Sequence, residues 1–117
     1  DVMDSILAAR KSRHGDFKTQ ADISQALKRV IRGTRGIDFQ RIETHERVVS
    51  SWNSLDTHQQ EALEMIVHKI ARVIAGDANY DDHWRDISGY SFRVEETLEN
   101  TQPVDSSIPL ASRGGGE

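Results

Sequence analysis

The chain reads as an all-α protein of four to five helices that ends in an antiparallel helical hairpin followed by a disordered or extended tail. Three observations point there. Apolar residues recur at helical spacing along most of the chain. The periodic stretches are bounded by glycines at their ends and by Ser, Thr or Asp at their starts. No two alternating segments read as a strand pair, and no internal repeat is present. The 117 residues suit one domain, with 1–102 as the helical body and 103–117 as the tail.

Composition narrows the function classes. Charged residues make up 29% and hydrophobic residues 36%, which fits a small helical protein whose polar faces are heavily charged, or one that buries more surface as an oligomer. The net charge of -4 has no basic excess to neutralise a phosphate backbone, so nucleic acid is not an expected partner. No stretch is apolar enough to span a bilayer, and the first residues show no signal-peptide pattern. With cysteine absent, these features lead to the expectation of a cytoplasmic protein.

The elements follow in order. Asp4 to Ser12 predicts a short helix ended by Gly15, after which Phe17 is expected to tuck into the core. A second helix is predicted from about Ala21 to Arg32, with Thr19 and Asp22 as a capping pair and Ile23, Leu27, Val30 and Ile31 as the buried stripe. Gly33 and Gly36 close it. Ile37 to Trp52 has a helical period and reads as one helix or two short turns, anchored by Trp52. Ser54-Leu55-Asp56-Thr57 is a helix start. The strongest amphipathic pattern follows it in Leu63, Ile66, Val67, Ile70, Val73 and Ile74, and Gly76 ends it. The four residues Asp77 to Tyr80 force the last helix, about Asp82 to Glu99, to return antiparallel. Its predicted inner side is Trp84, Ile87, Tyr90, Ser91, Val94 and Leu98, and Pro103 stops it. Ile108 and Leu110 are the tail's candidate anchors.

Candidate chemistry concentrates in the hairpin. On a wheel of 100° per residue, Glu61, Glu64, His68 and Arg72 share an arc of about 80°. Asp82, Asp86, Gly89 and Arg93 share one of about 60° on the next helix. Solvated helix faces explain such charges without any site. Gly89 argues otherwise, since a mid-helix glycine costs about 1 kcal/mol against alanine and suggests close approach of a backbone or a ligand. If the two faces meet, Glu61, Glu64, Asp82 and Asp86 form an oxygen donor set suited to Mg²⁺ or Mn²⁺. Lys69, Arg72 and Arg93 would then face phosphate, with Arg13, His14, His68 and His83 as additional candidates. The wheel turns His83 toward Ile87 and Tyr90, where a structural hydrogen bond is the commoner role. No P-loop, GxGxxG or nucleophile motif is present.

Several runs carry a resemblance: Arg13-His14-Gly15-Asp16-Phe17, Ala62-Leu63-Glu64-Met65-Ile66 with Lys69-Ile70-Ala71-Arg72, and Asp82-His83-Trp84-Arg85-Asp86-Ile87-Ser88-Gly89-Tyr90. They resemble an uncharacterised small helical domain common in tailed phages and prophages. That domain is in turn distantly similar to the all-α MazG-like and dUTPase-like nucleoside triphosphate pyrophosphohydrolases. The resemblance implies a dimer or higher oligomer, a nucleotide ligand, and Mg²⁺ held by an ExxE motif and an ExxD motif. Glu61-Ala62-Leu63-Glu64 matches the first motif, whereas Asp82 and Asp86 stand i,i+4 where the second has i,i+3. The function expected on this basis is Mg²⁺-dependent hydrolysis of a nucleoside triphosphate, or nucleotide binding without it. The alternative is a non-enzymatic phage accessory or structural protein acting in the host cytoplasm through protein partners and its tail.

Overall fold

The computed structural model describes residues 1–101, so the predicted tail with Ile108 and Leu110 lies outside the described residues. Among those residues the fold is all-helical: α1 Val2–His14, α2 Phe17–Arg32, α3 Ile42–Ser54, α4 Thr57–Ala75 and α5 Asp81–Thr101. No described helix is long and apolar enough to cross a membrane.

Local chemistry sets the helix ends, and in two places it moves them from the predicted positions. Asp1 accepts a hydrogen bond from the Asp4 amide (2.9 Å), so α1 starts earlier than Asp4. It continues past Ser12 to Gly15, which turns at φ 85. The cap of α2 is Asp16, whose carboxylate accepts from the Thr19 amide at 3.2 Å. That cap replaces the expected Thr19–Asp22 pair and begins the helix at Phe17. Phe17 therefore sits on the first turn with 76% of its surface exposed and does not tuck into the core. Gly33 ends α2 in the left-handed region, and His45 of α3 donates from Nε2 to its carbonyl at 3.0 Å. The segment from Ile37 to Trp52 forms one helix, shifted to Ile42–Ser54. α4 starts as expected, with Gln59 reaching back to accept from the Asp56 amide (2.9 Å).

α4 is the centre of the molecule and packs mainly against α5 and α2. The α4–α5 hairpin is antiparallel: His58 meets Thr97 at 3.1 Å at one end, and Lys69 pairs with Asp86 at 2.9 Å further along. On its other flank α4 meets α2 through Gln20–His68 (3.3 Å) and Arg32–Glu64 (2.6 Å).

Val67 of the predicted α4 stripe is buried as expected, but most of the buried positions differ from the predicted stripes. Among the described residues the buried apolar side chains are Ala62, Val67 and Ala71, while Gln20, Ser24 and His83 are buried and polar. On the helical wheel, Ala62 shares the side of Lys69, which meets α5. Val67 and Ala71 share the side of Glu64 and His68, which meets α2. Small residues let both neighbours approach closely there. The bulky stripe between those flanks stays outside: Leu63 is 40%, Ile70 37% and Ile74 67% exposed. Likewise Val30 and Trp84, expected inside, are exposed, and His83 takes the innermost place on α5.

Candidate functional site

The site is built on a tight junction that joins the end of α1 to the α4–α5 turn. A Cβ on Gly15 would stand 2.5 Å from the backbone carbonyl of Ala75, and one on Gly76 would collide with the Arg13 carbonyl oxygen. Only glycine allows this crossing. The Arg13 carbonyl accepts twice, from the Asp77 amide (3.0 Å) and from His83 Nε2 (2.7 Å). His83, 1% exposed, has the structural role its wheel position suggests. Tyr80 packs edge-on to its ring at 5.0 Å, and the Arg13 guanidinium lies 5.3 Å over the Tyr80 ring. This junction holds the basic last turn of α1 against α4.

Beside it, between α1, α2 and α4, lies a cavity of about 370 Å³. Arg10, Lys11, His14, Gln20, His68 and Arg72 supply its polar wall, with Leu7 and Phe17 at its apolar edge. Asp16 is the one carboxylate in the lining, and it is engaged with the Thr19 amide and hydroxyl. Among the described residues no carboxylate stands within ion-pair distance of Arg10, Lys11, Arg13 or Arg72. The Nε atoms of Arg13 and Arg72, His14 Nδ1 and Ser24 Oγ are buried without a hydrogen-bond partner. Orphaned buried polar atoms cost about 1–3 kcal/mol each, so a cluster of them calls for a reason.

The imidazoles respond to this field. Burial, then the charge of Arg72, then His83, Arg13 and Lys69, lower the His14 pKa from 6.5 to about 4. His68 is also lowered, by burial first and then by Arg72, Lys28 and Lys69. Both rings are therefore neutral at pH 7, and the surroundings resist any further positive charge. The Gln20 side-chain amide donates to His68 Nε2 and fixes that ring as an acceptor there. The arrangement can accept an anion, whose charge would offset the cations and fill the empty donor positions.

The predicted carboxylates are spread out. Glu64 pairs with Arg32, and Asp86 pairs with Lys69, which holds the Asp86 carboxyl below its usual range. Asp82 accepts from the Tyr80 hydroxyl (2.9 Å) and from Arg85 (2.7 Å), and Glu61 is exposed. Among the described residues no three His, Asp or Glu side chains are grouped so as to hold a metal ion. As arranged, the four carboxylates do not fit a magnesium ion, because the three with partners already answer protein cations. Of the expected phosphate ligands, Arg72 lines the cavity, Lys69 is committed to Asp86, and Arg93 lies over the Tyr90 ring at 5.4 Å. Of the additional candidates, His14 and His68 do converge with Arg72 on the cavity, whereas Arg13 lies at the adjoining junction over the Tyr80 ring. Gly89, expected to mark close approach, faces open space: a Cβ there would meet nothing within 4 Å.

Sequence reasoning overlooked Arg10, Lys11 and Gln20. The Arg10-Lys11-Ser12-Arg13-His14 run was the available signal, since four basic or imidazole side chains end a helix without an acid among them. Gln20 carried no signal, because a lone glutamine near a helix start is ordinary. The chain matches no protein-family model, no curated protein and no solved structure.

Proposed function

We propose that this chain binds a phosphorylated small molecule, a nucleotide, in the cavity between α1, α2 and α4. The observation that carries this reading is the set of cations lining that cavity, Arg10, Lys11 and Arg72, none of which stands within ion-pair distance of a carboxylate among the described residues. Phosphate oxygens would take the bare donor of Arg72, while neutral His14 and His68 offer directional hydrogen bonds. The apolar edge of Leu7 and the exposed Phe17 ring suits a flat base stacked outside the charged part. The resemblance to pyrophosphohydrolases motivates the nucleotide class and cleavage of a triphosphate to monophosphate and pyrophosphate. The hairpin carboxylates supply no metal group for that step, so binding is the part of the reading with geometric support.

The test is titration calorimetry with inorganic phosphate, pyrophosphate, a nucleoside monophosphate and a triphosphate, each with and without Mg²⁺. Affinity rising with phosphate charge in the absence of metal is the expected result. Absence of heat with every ligand at millimolar concentration would remove the proposal. Pyrophosphate release from the triphosphate, measured in the same samples, decides between an enzyme and a binding protein.

A further inference from the structure

We infer that the outer face of α5, from Trp84 to Glu99, is a docking surface for a basic amphipathic helix of a partner protein. This inference is independent of the ligand-binding proposal, whose cavity lies between α1, α2 and α4.

Trp84, Ser88, Phe92, Glu95 and Glu99 fall within an arc of about 80° on α5. Asp86 and Thr97, which meet Lys69 and His58 of α4, lie about 160–180° from the centre of that arc. The stripe therefore points away from the helix that α5 packs on. Trp84 is 53% and Phe92 56% exposed. The Trp84 indole is nevertheless held in place, because its Nε1 donates to the Ala78 carbonyl at 2.7 Å. A fixed aromatic ring loses little entropy on binding, which is why such residues anchor interfaces. Trp84 and Phe92 stand two turns apart, about 12 Å along the axis. Ser88 floors the gap between them, and Gly89 lies on its border, where a Cβ would meet nothing within 4 Å. The gap matches the width of a helix with its side chains, about 10–12 Å.

Charge identifies the occupant. Toward the hairpin turn, Arg85 already answers Asp81 and Asp82. Beyond Phe92, Glu95, Glu96 and Glu99 are exposed, and among the described residues no cation stands within ion-pair distance of them. They sit in the last two turns of α5, where they add to the negative end of the helix dipole, and no basic residue in the last turn offsets them. Glu95 and Glu99 lie about 10 and 16 Å from Ser88 along the axis, within reach of Lys or Arg side chains on a helix seated in the gap. The partner helix thus places apolar residues between Trp84 and Phe92 and basic residues toward the end of α5. A half-exposed indole, a mid-helix glycine with nothing against it and carboxylates that oppose the dipole each cost the isolated chain stability. A basic amphipathic helix in the gap offsets all three.

The experiment is fluorescence anisotropy with the full chain and a labelled synthetic helix of about 18 residues, Leu on one face and Lys on the other. A dissociation constant in the low micromolar range is expected for it, and no binding for the same helix with Glu in place of Lys. Phe92→Ser should weaken binding at least tenfold. Gly89→Leu, which the open space around that Cβ accommodates, should do the same and carries the test if Phe92→Ser loses helicity. Glu95→Gln with Glu99→Gln should remove most of the salt dependence, and Glu43→Gln, an exposed carboxylate on α3, should change nothing. No binding of the Leu–Lys helix at about 100 μM, a limit near 5.5 kcal/mol, would overturn the inference. So would equal binding of the Leu–Glu helix, or affinity unmoved by Gly89→Leu and the glutamate pair. A wild-type dimer in sedimentation equilibrium that Gly89→Leu dissociates would assign the face to a second copy and overturn it equally.

Discussion

The α4–α5 hairpin and the α1–α2–α4 cavity are both crowded with charge, yet they are wired in opposite ways. In the hairpin, cations and carboxylates meet: Lys69 with Asp86, and Arg85 with Asp81 and Asp82. In the cavity, Arg10, Lys11 and Arg72 gather with His14 and His68, and among the described residues no carboxylate stands within ion-pair distance of these cations. Charge density does not separate a site from a stabilised surface; compensation does. A cluster that satisfies itself is complete, whereas one that leaves buried donors empty is organised around something it lacks.

Both glycine environments sharpen this contrast. Gly15→Ala should have the largest effect, a loss on the order of 3 kcal/mol in chemical denaturation, since φ 85 and the Ala75 backbone both exclude a side chain. An unchanged midpoint would detach the cavity from the junction beside it. Next in size is removal of an uncompensated cation. Arg72→Ala should weaken phosphate binding at least tenfold, about 1.4 kcal/mol, while leaving stability equal or slightly higher, because a buried orphan is removed. The double readout matters, since a structural arginine would lower stability.

Acid should expose the same imbalance. The folded His14 pKa of about 4 lies below its unfolded 6.5. Between those values the unfolded chain binds the extra proton and the folded chain does not. Stability is therefore intact above pH 6.5 and falls as the pH drops toward 4, and His68 adds in the same direction. Saturating phosphate should flatten this slope in thermal melts, and His14→Gln should reduce it. A slope unaffected by both changes would place the acid sensitivity elsewhere.

In the hairpin the signs reverse. Lys69→Ala strips the partner from Asp86, which is 45% exposed, so solvent screening limits the loss to about 1 kcal/mol or less. Its indirect effect on phosphate affinity should stay well below that of Arg72→Ala. The smallest change is Gly89→Ala, which should stabilise by about 0.5–1 kcal/mol, because the added methyl meets open space and removes backbone entropy from a helix. Destabilisation there would restore the close approach inferred from sequence.

Much of the architecture was readable in the residues. Gly33, Gly76 and the Ser54-Leu55-Asp56-Thr57 start mark real helix ends, and the short Asp77–Tyr80 link does turn the hairpin back on itself. These features depend on backbone conformations and bonds within a few residues of each other. The site was half readable. Arg13, His14, His68 and Arg72 were among the candidates, but Lys69 and the four carboxylates competed with them on equal terms, because the wheel gives direction and not partner.

Local pattern is enough to make this chain helical, to end its helices at particular residues, and to say which side chains share a face. It cannot say which face a neighbour covers. Leu63, Ile70 and Ile74 look like a core stripe by spacing, and the packing of α2 and α5 against the flanks of α4 leaves them outside. Gly89 looks like a contact point by its cost, and the crossing occurs instead at Gly15 and Gly76. Covalent proximity acts over one or two helical turns, so a cap or a turn is decided there. Burial, charge compensation and close approach arise between segments tens of residues apart, as between Arg13 and His83, and are decided only when the helices dock.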